Sequence, residues 1–262
     1  MLEVIDKGSA TEPHPVPLLF VHGTWHAAWC WDEHFLDFFG DKGFRAVAVS
    51  LRSHGASAIS KPLNSVTFAD YVDDVHITVD MLGSEPVLIG HSLGGLVVQK
   101  YLENRRAPAA VLLASYPPQR MRRMAVALRA SRRHPWRTIR ANTVGTLADL
   151  VNTPRLAREH LFCAHTPQST VESCAARMQP ESRRAAAGGT LVRVRPSRVT
   201  TPLLVLDGEN DAALTNDEVR ATASAYGTQA GFIPNMGHNM MLEPGWADVA
   251  DRIHTWLGTR DL

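Results

Sequence analysis

Lysine is nearly missing from this chain: of its 27 basic residues four are lysines and 23 are arginines. Cysteine is almost as scarce. Cys30, Cys163 and Cys174 make an odd count with no Cys-x-x-Cys spacing, which argues against a disulfide framework and a zinc site and leaves three buried or unreactive thiols as the expectation. No run approaches the ~18–20 apolar residues needed to cross a bilayer. The opening MLEVIDKGSA lacks a basic stretch leading into an apolar one, so the expected location is the cytoplasm, without stable membrane insertion. Neither charge dominates, the net value being +1, and nothing calls for nucleic acid as a partner. Internal repeats and low-complexity tracts are also lacking.

What is present fits an ordinary globular chain. At 262 residues with 45% hydrophobic and 20% charged side chains, one large domain with a sizeable core is expected; a homodimer is compatible with this. Short continuous apolar runs alternate with helix-like stretches, the pattern of βαβ units around a mostly parallel sheet with helices on both faces. Strands are expected at Val16–Val21, Phe44–Val49, Pro86–Ile89, Ala109–Ala114, Pro202–Leu206 and Thr228–Ile233. Helices are expected at Trp31–Phe39, Thr67–Leu82, Gly94–Asn104, Asn216–Tyr226 and Trp246–Leu257.

Residues 117–198 break that rhythm. They open with Pro117-Pro118, contain no convincing strand, and carry 16 arginines against four acids, Asp149, Glu159, Glu172 and Glu181; the rest of the chain has 11 basic and 22 acidic residues. A helical insertion over the carboxyl ends of the strands is expected, where open α/β sheets bind ligands. The division is then 1–116 and 199–262 for the core and 117–198 for a cap. Its arginines could attract an anionic substrate or touch an anionic membrane surface, although arginine stands in for lysine throughout the chain.

The strongest local feature is Pro86-Val-Leu-Ile-Gly-His-Ser-Leu-Gly-Gly95, a buried run entering G-x-S-x-G and then a helix. A bare G-x-S-x-G arises by chance in about one chain in ten of this length; the strand-turn-helix setting raises its weight. Gly90 and Gly94 let strand and helix cross at a sharp turn with the Ser92 hydroxyl at its tip. The Leu93 amide opens the helix, free to stabilise a developing oxyanion. A serine nucleophile needs a base, and His238, in Gly237-His238-Asn239 after the last strand, is alone among the twelve histidines in lying late and in such a loop. An acid must orient that base. Asp211 in Leu206-Asp-Gly-Glu-Asn-Asp211 follows the preceding strand, with Asp207 and Glu209 as competitors.

The loop Val21-His-Gly-Thr-Trp-His-Ala-Ala-Trp-Cys-Trp31 is the place for a second oxyanion donor: Gly23 lets the backbone turn, and Thr24 is preferred to Trp25 for the amide. His22 and His26 stand four apart, but in a glycine loop and without His-Glu-x-x-His, so no metal and no cofactor are expected. Trp25, His91 and Met240 are the candidates for substrate contact.

Together His22-Gly23, Ser53-His54-Gly55-Ala56-Ser57, the Ser92 turn, Gly208 to Asp211 and Gly237-His238 resemble the landmarks of the α/β-hydrolase superfamily, in order and over nearly the whole chain outside the insertion. The resemblance implies an α/β-hydrolase fold, a lid inserted after the sixth strand and a covalent acyl-enzyme route. His22 to Trp31 is similar to the branch of plant methyl esterases and hydroxynitrile lyases. Those lyases usually carry lysine after the catalytic histidine and threonine where this chain has Gly23; Asn239 and Gly23 therefore favour an esterase. Haloalkane dehalogenases and epoxide hydrolases need a carboxylate where Ser92 stands and are disfavoured. The expected function is cleavage of a small or medium carboxylic ester. The same residues would serve a thioesterase, a lactonase, perhydrolysis or a cofactor-free C-C hydrolase, and a ligand receptor without turnover is the non-catalytic alternative.

Overall fold

The computed structural model of the chain describes residues 1–58 and 61–262. Among the described residues, seven strands form one sheet: β1 (Glu3–Lys7), β2 (Leu18–Val21), β3 (Ala46–Ser50), β4 (Val87–His91), β5 (Ala110–Leu113), β6 (Leu203–Gly208) and β7 (Ala230–Ile233), in the spatial order β1-β3-β2-β4-β5-β6-β7. All neighbours run parallel except β1, which lies antiparallel on the β3 edge with Glu3 opposite Ser50. The α/β sheet with helices on both faces is as expected. The edge strand β1 is an addition, since Glu-Val-Ile-Asp-Lys is half-exposed rather than a buried run.

Alternation along the strands explains the continuous apolar runs. Leu18, Phe20, Ala46, Ala48, Val87, Ile89, Val111 and Leu113 face one core; Leu19, Val21, Val47, Val49, Leu88, Ala110 and Leu112 face the other. Both faces are dry, so neither side of a strand can be polar. The first core is covered by α1 (Trp29–Asp32), α2 (Phe35–Asp41) and α11 (Trp246–Gly258). The second is covered by α3 (Phe68–Leu82), α4 (Leu93–Tyr101) and α10 (Asn216–Ala225). The single helix expected at Trp31–Phe39 is two short ones, broken at His34, whose backbone leaves the helical region at φ −147° while its ring stacks on Trp246. Helix α3 begins on a reciprocal Thr67–Asp70 capping box and stops at Gly83, left-handed at φ 70°.

Between β5 and β6 run the insertion helices α5 (Arg120–Arg133), α6 (Pro135–Thr143), α7 (Pro154–Leu161), α8 (Gln168–Arg177) and α9 (Arg183–Leu191). The insertion thus leaves after the fifth of seven strands, not the sixth as the resemblance implied, because this sheet has one strand fewer ahead of it. It is fastened to both cores, through Leu161, Phe162 and Val171 on one side and Val126, Ala185 and Val194 on the other. The buried Glu181 carboxylate also holds it down, accepting the Tyr71 hydroxyl at 2.5 Å. No described helix is long and apolar enough to cross a membrane.

Candidate active site

Ser92 sits between the end of β4 and the start of α4 with φ 51° and ψ −117°, a backbone conformation that costs about 1–3 kcal/mol and persists only where its surroundings enforce it. They do: the Ser92 amide donates to Leu113 at 3.0 Å, and its carbonyl accepts from Leu96 and Tyr116. The turn leaves no room for side chains, since a Cβ on Gly90 would stand 2.7 Å from the Gly94 carbonyl. At Gly23 a Cβ would stand 2.8 Å from Ser92 Cβ, so the backbone of the β2–α1 loop passes directly against the serine.

His238 reaches the same point from the loop after β7. Its Nε2 accepts the Ser92 hydroxyl at 3.0 Å, and its Nδ1 donates to Asp211 Oδ2 at 2.7 Å. Asp211 is held in turn by the amides of Ala213 and Leu214, which donate to Oδ1 at 2.6 and 3.1 Å. The three residues singled out for nucleophile, base and orienting acid are therefore brought into one hydrogen-bonded chain. Glu209, one competitor for the acid, is exposed.

The other competitor, Asp207, is fully buried at the end of β6, where its Oδ1 accepts the Gly208 amide at 2.8 Å. Burial, reinforced by the charge on Asp211, drives its pKa well above the ordinary carboxyl value. Asp211 moves the other way: burial would raise it, but the His238 charge and hydrogen bonds from His238 and Asp207 outweigh that and leave it below the ordinary value. Beside the charged Asp211, buried Asp207 is thus held toward its neutral form. A raised folded pKa leaves stability intact below the unfolded value of about 4 and erodes it as pH climbs from there toward the folded value. Asp207→Asn is neutral at every pH and removes that erosion. In urea unfolding its advantage over the native protein is expected to grow above about pH 4, by at most about 1.4 kcal/mol per pH unit. Ester turnover should stay within about threefold of native, whereas Asp207→Leu, which leaves the buried Gly208 amide without its acceptor, should lower it about tenfold or more. Equal stability of the native and Asn proteins from about pH 4 to 7 would contradict the neutral assignment.

Two carboxylate and histidine contacts that position the base were not visible in the sequence. Buried Glu243 accepts the Gly237 amide at 2.8 Å and the Thr166 hydroxyl at 2.9 Å, tying the histidine loop to the insertion. His91 donates from Nε2 to the His238 carbonyl at 2.9 Å; burial, then the neighbouring His238, hold its pKa well below the usual histidine value, so it is neutral. His91 was expected to touch substrate, as was Met240. Neither lines the cavity: His91 lies beneath the base, and Met240 is fully buried in the first core.

That cavity, about 70 Å³, is bounded by Ser92, His238 and Trp25 from the core and by Val126, Arg133 and His160 among others from the insertion. Of the three candidates for substrate contact, Trp25 lines this cavity. Leu93 opens α4, and Thr24 lies in the loop against Ser92; among the described residues, neither amide has an acceptor. His26 fixes this loop by donating from Nδ1 to the Thr24 carbonyl at 2.9 Å.

Two further clusters carry reactive groups. Cys174 Sγ lies 3.8 Å from His26 Nε2, but burial pushes the thiol up to about 12 and His26 down to about 4, so no thiolate forms. All three cysteines are buried and free. His134, Glu159 and His160 bring potential ligand atoms within 4.8 Å of one another. His134 and Glu159 are already hydrogen-bonded at 3.0 Å, and burial followed by the Arg133 charge lowers the His160 pKa, so the ligand atoms of this cluster are committed to each other beside a histidine biased toward its neutral form.

A serine, a histidine and a carboxylate stand in series at the carboxyl edge of a parallel sheet, an arrangement able to activate a hydroxyl for nucleophilic attack. The family model described as "Alpha/beta hydrolase family" matches residues 18–252, and the chain belongs to that family. It is 36% identical over 108 residues to a non-heme chloroperoxidase of Burkholderia pyrrocinia, 39% of this chain and 38% of that protein. It is 31% identical over 105 residues to methyl jasmonate esterase 1 of Vitis vinifera, 38% of this chain and 39% of that protein. The matched stretches thus span about two fifths of these relatives' lengths. A thermophilic esterase from Thermogutta terrifontis superposes with a TM-score of 0.76 over 100% of this chain and 94% of its own, at 22% identity, a likeness of fold.

Proposed function

We propose that the protein hydrolyses small carboxylic esters through an acyl-enzyme, and the observation that carries this reading is the Ser92–His238–Asp211 chain at 3.0 and 2.7 Å. His238 Nε2 takes the Ser92 proton as Oγ attacks the ester carbonyl. The oxyanion is received by the amides of Leu93 and Thr24. Collapse expels the alcohol, which leaves with the proton held by His238; water, deprotonated by the same nitrogen, then releases the acid and restores Ser92. Asp211 keeps the imidazole in the Nδ1–H form and stabilises its cation. No cofactor enters these steps. The methyl jasmonate esterase likeness supports the ester class, and the insertion acts as a cap over the reacting bond.

The chloroperoxidase-named relative favours one second reading on the same residues: hydrogen peroxide in place of water at the acyl-enzyme, giving a peracid. A substrate panel separates the two. With p-nitrophenyl esters from acetate to laurate, turnover is expected to be highest for the shortest acyl groups, because a cavity of about 70 Å³ accepts only a few carbons. A fluorophosphonate should add one equivalent, located by mass spectrometry on Ser92. Preference for laurate, or an adduct elsewhere, would overturn the assignment; faster discharge of the acetyl-enzyme by peroxide, giving peracetic acid, than by water, giving acetate, would favour the second reading.

A further inference from the structure

Among the described residues, six of the ten large apolar side chains left exposed lie between Met121 and Val144. On α5, Met121, Met124 and Leu128 share the side turned away from the buried Arg123 and Val126. On α6, Trp136 and Ile139 stand apart from the buried Ala141, with Trp136 81% exposed. Arginines are interleaved with them. Among the described residues, none of Arg120, Arg122, Arg132, Arg137 and Arg140 has a carboxylate within 4.0 Å, while Arg123 and Arg129 are spent on backbone carbonyls and on Glu218. Beside Trp136 a surface groove of about 410 Å³ is lined by Arg137, Arg140, Asn152 and one acid, Asp149.

From this face we infer that the α5–α6 surface docks on an anionic lipid membrane. Exposed aromatic and aliphatic groups set among unpaired arginines are what an interfacial helix presents: the apolar groups enter the headgroup boundary and the guanidinium groups meet lipid phosphates. The chain's preference for arginine over lysine accounts for the kind of cation here. It does not account for 16 of the 23 arginines falling in residues 117–198 against four acids, nor for the apolar groups left in water beside them. A second copy of the chain is a poorer occupant, because a twofold contact would set arginines against arginines. The inner side of α5 supplies Val126, Arg129 and Arg133 to the Ser92 cavity, so a docked α5 would bring that cavity to the lipid surface. Docking is independent of the reading of Ser92 and is measured without turnover.

The test is co-sedimentation of the full chain with vesicles of phosphatidylcholine alone and of phosphatidylcholine with about 30 mol % phosphatidylglycerol. Binding is expected only to the anionic vesicles, weakening tenfold or more from about 0.1 to 0.5 M salt. Arg137→Gln combined with Arg140→Gln should weaken it about 25-fold, at about fivefold per arginine near an anionic surface. Trp136→Ser combined with Ile139→Ser should weaken it about tenfold or more. None of these side chains lines the Ser92 cavity, so both variants should keep the native melting temperature and p-nitrophenyl acetate turnover. Equal binding to both vesicles, no binding to the anionic ones, or binding that survives both double variants would overturn the inference. So would capture by heparin without vesicle binding, or a concentration-dependent dimer that the variants dissolve.

Discussion

Ser92→Ala is expected to lower kcat/KM for p-nitrophenyl acetate by about 10⁴-fold or more while changing stability by no more than about 1 kcal/mol. The reasoning rests on what the substitution leaves in place. Ala removes the hydroxyl that donates to His238 at 3.0 Å but keeps the backbone bonds from Ser92 to Leu113, Leu96 and Tyr116 that enforce the turn. Both residues bear a Cβ, so the strained φ of 51° costs them alike. The Leu93 and Thr24 amides remain, and with them a small residual rate above water. His238→Ala should lose a similar factor, and the double variant no more than either single one, because nucleophile and base work as a unit. Retention of more than about one hundredth of native turnover in a folded Ser92→Ala protein would mean that the serine is not the nucleophile. A fully additive double variant would instead mean that His238 acts on another group.

The sequence disclosed this site unevenly, and the unevenness has a physical pattern. Ser92, Gly90 and Gly94 are legible because one local turn demands them within five residues. His238 and Asp211 are legible by their places just after β7 and β6, since every parallel strand delivers its carboxyl end to the same edge. Groups defined by tertiary approach were not legible. Asp207 looks like a rival to Asp211 from spacing alone; only its burial beside Asp211 shows that the two carboxyls are pushed in opposite directions. His91 looks like a substrate contact because it adjoins Ser92 in sequence, yet successive strand residues point to opposite faces, and its ring turns under the loop to hold the His238 carbonyl. Met240 follows His238 by two and is carried back into the core.

The fold was legible where burial is two-sided. β2 to β6 fill two cores and therefore read as apolar runs. β1 pairs only with β3 at an exposed edge and gives no such run. The insertion was recognisable as helical and as a break in rhythm, but its five helices and the groups it lends the cavity, Arg133 and His160 among them, depend on how it folds back.

Gly94→Ala is expected to destabilise the protein by about 3 kcal/mol or more, or roughly 10 °C in melting temperature, although the change adds a single methyl to a helix where Ala is intrinsically preferred. Propensity favours the substitution by about 1 kcal/mol; sterics decide against it. The added Cβ would lie 2.3 Å from the His22 carbonyl oxygen and 2.5 Å from that of Val21. Both obstacles are backbone at the end of β2, a central strand hydrogen-bonded on both sides, so neither can swing away as a side-chain tip would. Relief requires moving α4 or the loop that follows β2. Either movement separates Ser92 and the Leu93 amide from Thr24, so the folded fraction should also lose ester turnover. Gly83→Ala is the control, because it tests conformation without crowding. Gly83 is left-handed at φ 70°, but nothing lies within 4 Å of its Cβ position, so its cost should stay near 1 kcal/mol with turnover unchanged. Urea unfolding of the two variants side by side measures the difference; equal losses would show that the strand–helix crossing at Ser92 is not held by contact between backbones.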